Sequence, residues 1–231
     1  MCFKAFAEIG EWSAALKTCA KIGSQFEQAN VLLELIDQLP DMWLERASQL
    51  VQSLDEYGSQ TIKVACTLIP RLSRPLMKEF RQWVWEIPDE LTQVAIGSCL
   101  AHNLSGEELA EWVERLREVV EKVEYPSRRI TMSLHLLPHL PSEEHHPTLM
   151  RLLALARPQE NDLARAESLG SIALCLPSKE REPVFAEAMQ ALNKVNDGLH
   201  RHRLWGEWAK GLCKHADIRT MQSGLIMMGN V

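Results

Sequence analysis

The chain has 231 residues, 46% hydrophobic and 24% charged, with a formal net charge of −6. Length and balance suit a folded chain with a sizeable buried core and exclude a disordered one. The acidic total excludes a surface built mainly to neutralise phosphates, while leaving room for a local basic patch.

Taken in chain order, the apolar spacing reads as helices from end to end. Phe3 and Phe6 lie in a short stretch, residues 2–9, that resembles the tail of a second helix lacking its first. Helix pairs are then expected at 11–39, 42–72, 75–104, 106–140, 144–176 and 179–213. Ser24 with Glu27 and Ser105 with Glu108 have capping-box spacing, and Pro88, Pro126 and Gly198 fall at the elbows. Leu109, Trp112, Val113, Leu116, Val119, Val120 and Val123 recur at steps of three and four, one apolar helical face. Val184, Phe185, Ala188, Met189, Leu192 and Val195 do the same further on. After the last pair, Ile218, Met221, Leu225 and Met228 form an apolar stripe over 216–228 with no partner helix behind it. Nothing alternates with the period of two that a strand requires, so no strand is expected.

A repeat underlies the order. Leu39, Leu72, Leu104, Leu140, Leu176 and Leu212 close successive runs, spaced 33, 32, 36, 36 and 36 residues apart. Ile36, Ile69, Ala101, Leu137, Ala173 and Ala209 stand three residues before them, and Leu35, Leu68, Leu100, Leu136, Ile172 and Trp208 four before. Pro40, Pro141 and Pro177 follow three of the leucines directly, where a proline stops a helix. A hairpin of this length cannot bury its apolar face alone and must stack on its neighbours. The expected fold is therefore all-α: an α-solenoid of about six helix-turn-helix repeats of 32–36 residues, forming one domain over 1–231. It divides into a partial repeat at 1–10, full repeats over 11–213 and the unpaired helix, as in a segment of a longer array.

The first full unit carries Gly10, Glu11, Trp12, Ala15 and Leu16, and later units carry Arg129 to Pro141 (RITMSLHLLPHLP) and Arg165 to Pro177 (RAESLGSIALCLP). This Gly-acidic-aromatic, Ala-Leu, then Arg-x-x-x-Leu to Leu-Pro pattern resembles degenerate tetratricopeptide-like repeats of large bacterial signalling proteins. The second and third units lack the Gly-acidic-aromatic turn, and Gln28, Thr61 and Gln93 stand where the later units have arginine. HEAT-like hairpins fit the period equally. The resemblance implies a sensor or scaffold region attached to a bacterial signalling or defence assembly.

The sharpest candidate surface is the row Arg129, Arg165 and Arg201, one arginine per unit at the same register, with Arg128 and Arg203 beside it. Stacked units would align these guanidinium groups to hold carboxylates or phosphates, unless each simply pairs with a neighbouring glutamate. Trp83 and Trp85 are two residues apart and cannot share a helical face, so one is a candidate aromatic anchor unless neighbouring units cover both. His135, His139, Glu143, Glu144, His145 and His146 superficially suggest metal ligands, but Pro138 and Pro141 break the helix between them, and no metal site is expected. Glu107, Glu111, Glu114, Glu118 and Glu121 read as a solvated face, relieved by Arg115 and Lys122 at helical spacing.

Phosphate-loop, dinucleotide-binding and nucleophile-elbow motifs are missing, so no enzyme and no cofactor is expected. Cys2, Cys19, Cys66, Cys99, Cys175 and Cys213 are scattered through apolar stretches without paired spacing and read as small buried hydrophobes in a reducing compartment. With no run of about 18 apolar residues and no signal-peptide pattern at the start, no membrane contact and a cytoplasmic location are expected. The reading is a non-enzymatic protein-protein interaction or sensor scaffold, whose partner is another protein or the remainder of a larger one. The alternative is a helical-repeat nucleic-acid-binding protein or base-processing enzyme, in which the arginines meet phosphates and a tryptophan stacks on a base.

Overall fold

The structure, a computed structural model, describes residues 2–54 and 58–214. Among the described residues it has thirteen α-helices and no strand. They are α1 (Cys2–Glu8), α2 (Trp12–Cys19), α3 (Gln25–Ile36), α4 (Leu44–Gln52), α5 (Ser59–Leu68), α6 (Arg74–Val84) and α7 (Glu90–Ala101). There follow α8 (Gly106–Glu121), α9 (Pro126–Leu136), α10 (Ser142–Ala156), α11 (Asp162–Cys175), α12 (Ser178–Leu192) and α13 (Gly198–Lys214). From α2 onward they fall two by two into the six expected pairs. The stripe expected over 216–228 lies outside the described residues.

Local chemistry explains the boundaries. Ser24 caps α3 by accepting the Glu27 N–H, Asp89 caps α7 through Thr92, and Asn161 caps α11 through Ala164. Five of the six repeat leucines lie just past a helical end rather than in its last turn. The N–H groups of Leu39, Leu72, Leu104, Leu140 and Leu176 each donate to the carbonyl three residues back, at 3.1–3.2 Å. Those acceptors, Ile36, Ile69, Ala101, Leu137 and Ala173, are the apolar column three before the leucine. Leu72, Leu140 and Leu176 then turn to extended backbone. For Leu140 and Leu176 the following proline itself disfavours helix at the leucine. Leu212 departs from this pattern: no proline follows, and it is buried within α13.

The helices form two compact units, divided between Val119 and Val120. In the N-terminal unit the second helices lie side by side, α3 against α5 and α5 against α7, while α1 packs on α2 and α3. Leu32, Leu35 and Ile36 of α3, Val64, Ala65 and Leu68 of α5 and Val94, Ile96 and Leu100 of α7 are all buried. In the C-terminal unit α9 packs against α11 and α11 against α13, with α10 and α12 both on α11. Leu152, Leu153, Leu169, Ile172, Phe185, Met189, Leu204 and Trp208 share that core. The column four before the repeat leucine is buried at every unit, the inner stripe that the period implied.

The cysteines depart from their expected uniform role. Cys66 on α5 and Cys99 on α7 are joined in a disulfide, with Cα atoms 5.6 Å apart. Their separation of 33 residues is one repeat, which places them at neighbouring heights on adjacent second helices. Cys175 and Cys213 are exposed rather than buried. Among the free thiols whose burial is described, Cys19 alone fits the expectation: it is fully buried and its S–H donates to the Gln28 carbonyl at 3.6 Å.

Burial pushes the Cys19 thiol up to about 12, against an ordinary value of 9.0. Between those values the unfolded chain releases a proton that the folded chain retains, so ionisation favours unfolding as the pH rises. The contribution is intact below pH 9 and is lost at about 1.4 kcal/mol per pH unit above it. Urea denaturation at pH 8 and pH 10 is expected to show a steeper loss for the parent than for Cys19→Ala. Equal losses would mean the thiol is not held neutral.

Candidate partner-binding groove

The arginine row occupies the register eleven residues before the repeat leucine, and the side chains of Arg129 and Arg165 turn back toward the elbows. Arg129 Nε donates to the Val123 carbonyl at 2.9 Å and its Nη2 to Glu121 at 3.1 Å. Arg165 Nη1 donates to the Gln159 carbonyl at 3.0 Å, six residues back as in Arg129, while Nη2 pairs with Asp162. At the same register two units earlier, Gln93 donates through Nε2 to the Val84 carbonyl at 3.0 Å. In these three units the column clamps the end of the first helix, where backbone carbonyls lack intrahelical donors. Arg201 makes no such bond among the described residues.

A second set of clamps closes the other end of the hairpins, and sequence reasoning missed it. Arg181, buried at 4% exposure, donates through Nε to the Ala173 carbonyl at 3.2 Å and through Nη2 to Leu176 at 2.9 Å. Arg71 serves Ile36 and Leu39 in the same way and adds an ion pair to Asp41 at 3.0 Å. His145 sets Nε2 against the Leu140 carbonyl at 2.9 Å. His145 and Arg181 each stand five residues after a repeat leucine, a column whose varied chemistry hid the shared role.

The other expected site residues divide between the two units. Trp83, on α6, is buried edge-on against Phe80. Trp85 is half-buried against Trp112 of α8, ring centroids 4.8 Å apart, so the next hairpin does cover the second tryptophan. Trp112 donates Nε1–H to the Gly97 carbonyl at 2.9 Å. The Arg115 guanidinium, expected to relieve the glutamate stripe, lies 4.1 Å over the Trp85 ring. In the C-terminal unit Arg128 is half-buried, and Arg203 bridges Glu167 at 2.6 Å and Glu207 at 3.3 Å. The six glutamates of α8, the five of the expected stripe among them, are all exposed. Among the described residues no group of three or more histidines, cysteines or carboxylates could hold a metal ion.

One member of the row does border a concavity. A groove of about 760 Å³ is lined by Arg157, Arg165, Leu169, Glu187, Gln190, Ala191, Asn193 and Lys194. Its volume falls within the roughly 300–1,000 Å³ of ligand clefts. Leu169 and Ala191, both buried, lie at its floor. Arg157 and Glu187 face each other across the first helices in a two-point ion pair, both bonds 2.9 Å. Lys194 is exposed and carries no ion pair among the described residues. The readable signal was the period: Arg157 and Asn193 end α10 and α12 at registers 36 residues apart.

Comparison with family models, curated proteins and solved structures finds no match to this chain.

Proposed function

We propose that the hairpins continue as an α-solenoid of tetratricopeptide-like or HEAT-like type, and that the chain is a non-enzymatic interaction scaffold in a signalling or defence assembly. The observation that carries this reading is the packing of second helix on second helix within each unit, joined to a groove in the C-terminal unit that borders Arg165. Stacked hairpins present extended surfaces suited to protein segments. The chain's net charge of −6 favours a protein partner over nucleic acid. Among the described residues no helix is long and apolar enough to cross a membrane.

The reducing compartment expected from the scattered cysteine spacing is what the Cys66–Cys99 bond bears against, because such bonds persist mainly in oxidising compartments.

The scaffold reading is tested by capturing partners from the native host on the immobilised chain and on a variant with Arg157→Glu and Lys194→Glu. A protein retained by the parent and depleted by at least about tenfold on the variant, a difference of about 1.4 kcal/mol, is the expected result. Identical captured sets from the two, or no protein captured by either, would overturn the scaffold reading.

A further inference from the structure

We propose that the groove of the C-terminal unit binds an acidic peptide segment of a protein partner, in which carboxylates flank an apolar residue. The inference rests on the scaffold reading and names the chemistry of its partner.

Charge argues for the occupant. Arg157, Arg165 and Lys194 line the groove against Glu187, and Asp162 pairs with Arg165, which leaves a local excess of about one positive charge on a chain that is acidic in total. The helix ends offset only part of this. The C-termini of α10 and α12 each contribute about half a negative charge and the N-terminus of α11 about half a positive one, less than the side-chain excess. An anionic segment is therefore the occupant that the groove attracts.

The individual cations differ in availability. Arg165 is committed to the Gln159 carbonyl and Asp162, and Arg157 to Glu187. Lys194 has no such commitment among the described residues, and its three donors are open to an incoming carboxylate. The Arg157–Glu187 pair is substantially exposed on both sides, at 49% and 38%, so a ligand carboxylate can compete for the guanidinium with little loss of stability. Gln190 and Asn193 add amide donors and acceptors along the same wall, matched to a peptide backbone. The aliphatic stems of Arg157, Arg165 and Lys194, over Leu169 and Ala191 at the groove floor, offer the apolar contact between the charged positions.

Fluorescence anisotropy of a labelled peptide of alternating glutamate and leucine, titrated with the full chain, tests the inference against a counterpart with glutamine in place of glutamate. The acidic probe is expected to bind saturably, at least about tenfold more tightly than the glutamine probe. Lys194→Glu is expected to weaken the acidic probe by a similar factor. Lys63→Glu, an equal charge change on exposed α5 surface in the other unit, is expected to leave it unchanged. Equal affinity of the two probes, or equal effects of the two lysine variants, would overturn the acidic occupant. A partner captured from the host through the groove would still uphold the scaffold reading in that event. Loss of groove-dependent capture would remove the scaffold reading itself.

Discussion

Replacing Gly170 with valine is expected to unfold the C-terminal unit under conditions where the parent is stable. A Cβ at Gly170 would lie 2.2 Å from Trp208 Cε2 and 2.4 Å from its Cζ2 and Nε1, well inside any tolerated contact. Trp208 cannot yield cheaply, because it is 2% exposed and packs edge-on against Phe185 with centroids 5.3 Å apart. Alanine poses the sharper contest. Removing a helical glycine gains up to about 1 kcal/mol of helix propensity, whereas overpacking a dense core costs about 1–3 kcal/mol or more. Overpacking should win, and valine adds two further methyl groups to the clash. Gly206 of α13 supplies the control: nothing lies within 4 Å of its added Cβ, so Gly206→Ala should be neutral or stabilising. Thermal denaturation followed by circular dichroism reads all three variants. A Gly170→Ala protein melting above the parent would show that α11 and α13 are not seated on each other at this glycine.

Arg181→Met should be nearly as damaging, for a different reason. The guanidinium is buried and holds the Ala173 and Leu176 carbonyls at the end of α11. A hydrogen bond to a charged group contributes about 1.5–3 kcal/mol, and the desolvation of the ion returns part of the sum. A net loss of roughly 2–4 kcal/mol follows, since methionine preserves much of the stem packing and leaves two carbonyls without these donors. Lysine should rescue little, because a single ammonium lacks the planar fork that spans both oxygens. Arg71→Met, which breaks the same pattern at a half-buried site, should cost less, on the order of 1 kcal/mol. Urea midpoints of the three variants decide the matter. Parent-like stability of Arg181→Met would mean that desolvation cancels both bonds.

These two sites show where the sequence was legible. The leucine period located every helix pair because burial at fixed intervals leaves a one-dimensional trace, and the column four before each leucine is buried throughout. The leucine itself was placed inside the helix rather than just after it. Apolar spacing cannot distinguish a last turn from the extended residue that follows it. Gly170 carried no signal of its own. Its need for an absent side chain comes from a tryptophan 38 residues later, a distance that periodicity along one helix does not report.

The candidate site was legible in part. Arg129, Arg165 and Arg201 do share a register, but the first two spend donors on the elbow carbonyls, a three-dimensional use that residue type alone does not reveal. Lys194 went unremarked because a lone lysine at a helix end is ordinary in sequence. Its interest arises only when α10 and α12 bring Arg157, Glu187 and Asn193 around the same groove. The disulfide was missed likewise, since Cys66 and Cys99 have no paired spacing and meet only through the adjacency of α5 and α7.

The scaffold account is tested most directly by a photo-cross-linking amino acid placed at Gln190 in the groove and, separately, at Lys63 on the exposed face of α5. In native-host extract the account predicts a discrete protein adduct from Gln190, absent from Lys63 and lost on Lys194→Glu. Adducts that are identical from the two positions, or an adduct at Gln190 consisting of nucleic acid, would contradict it.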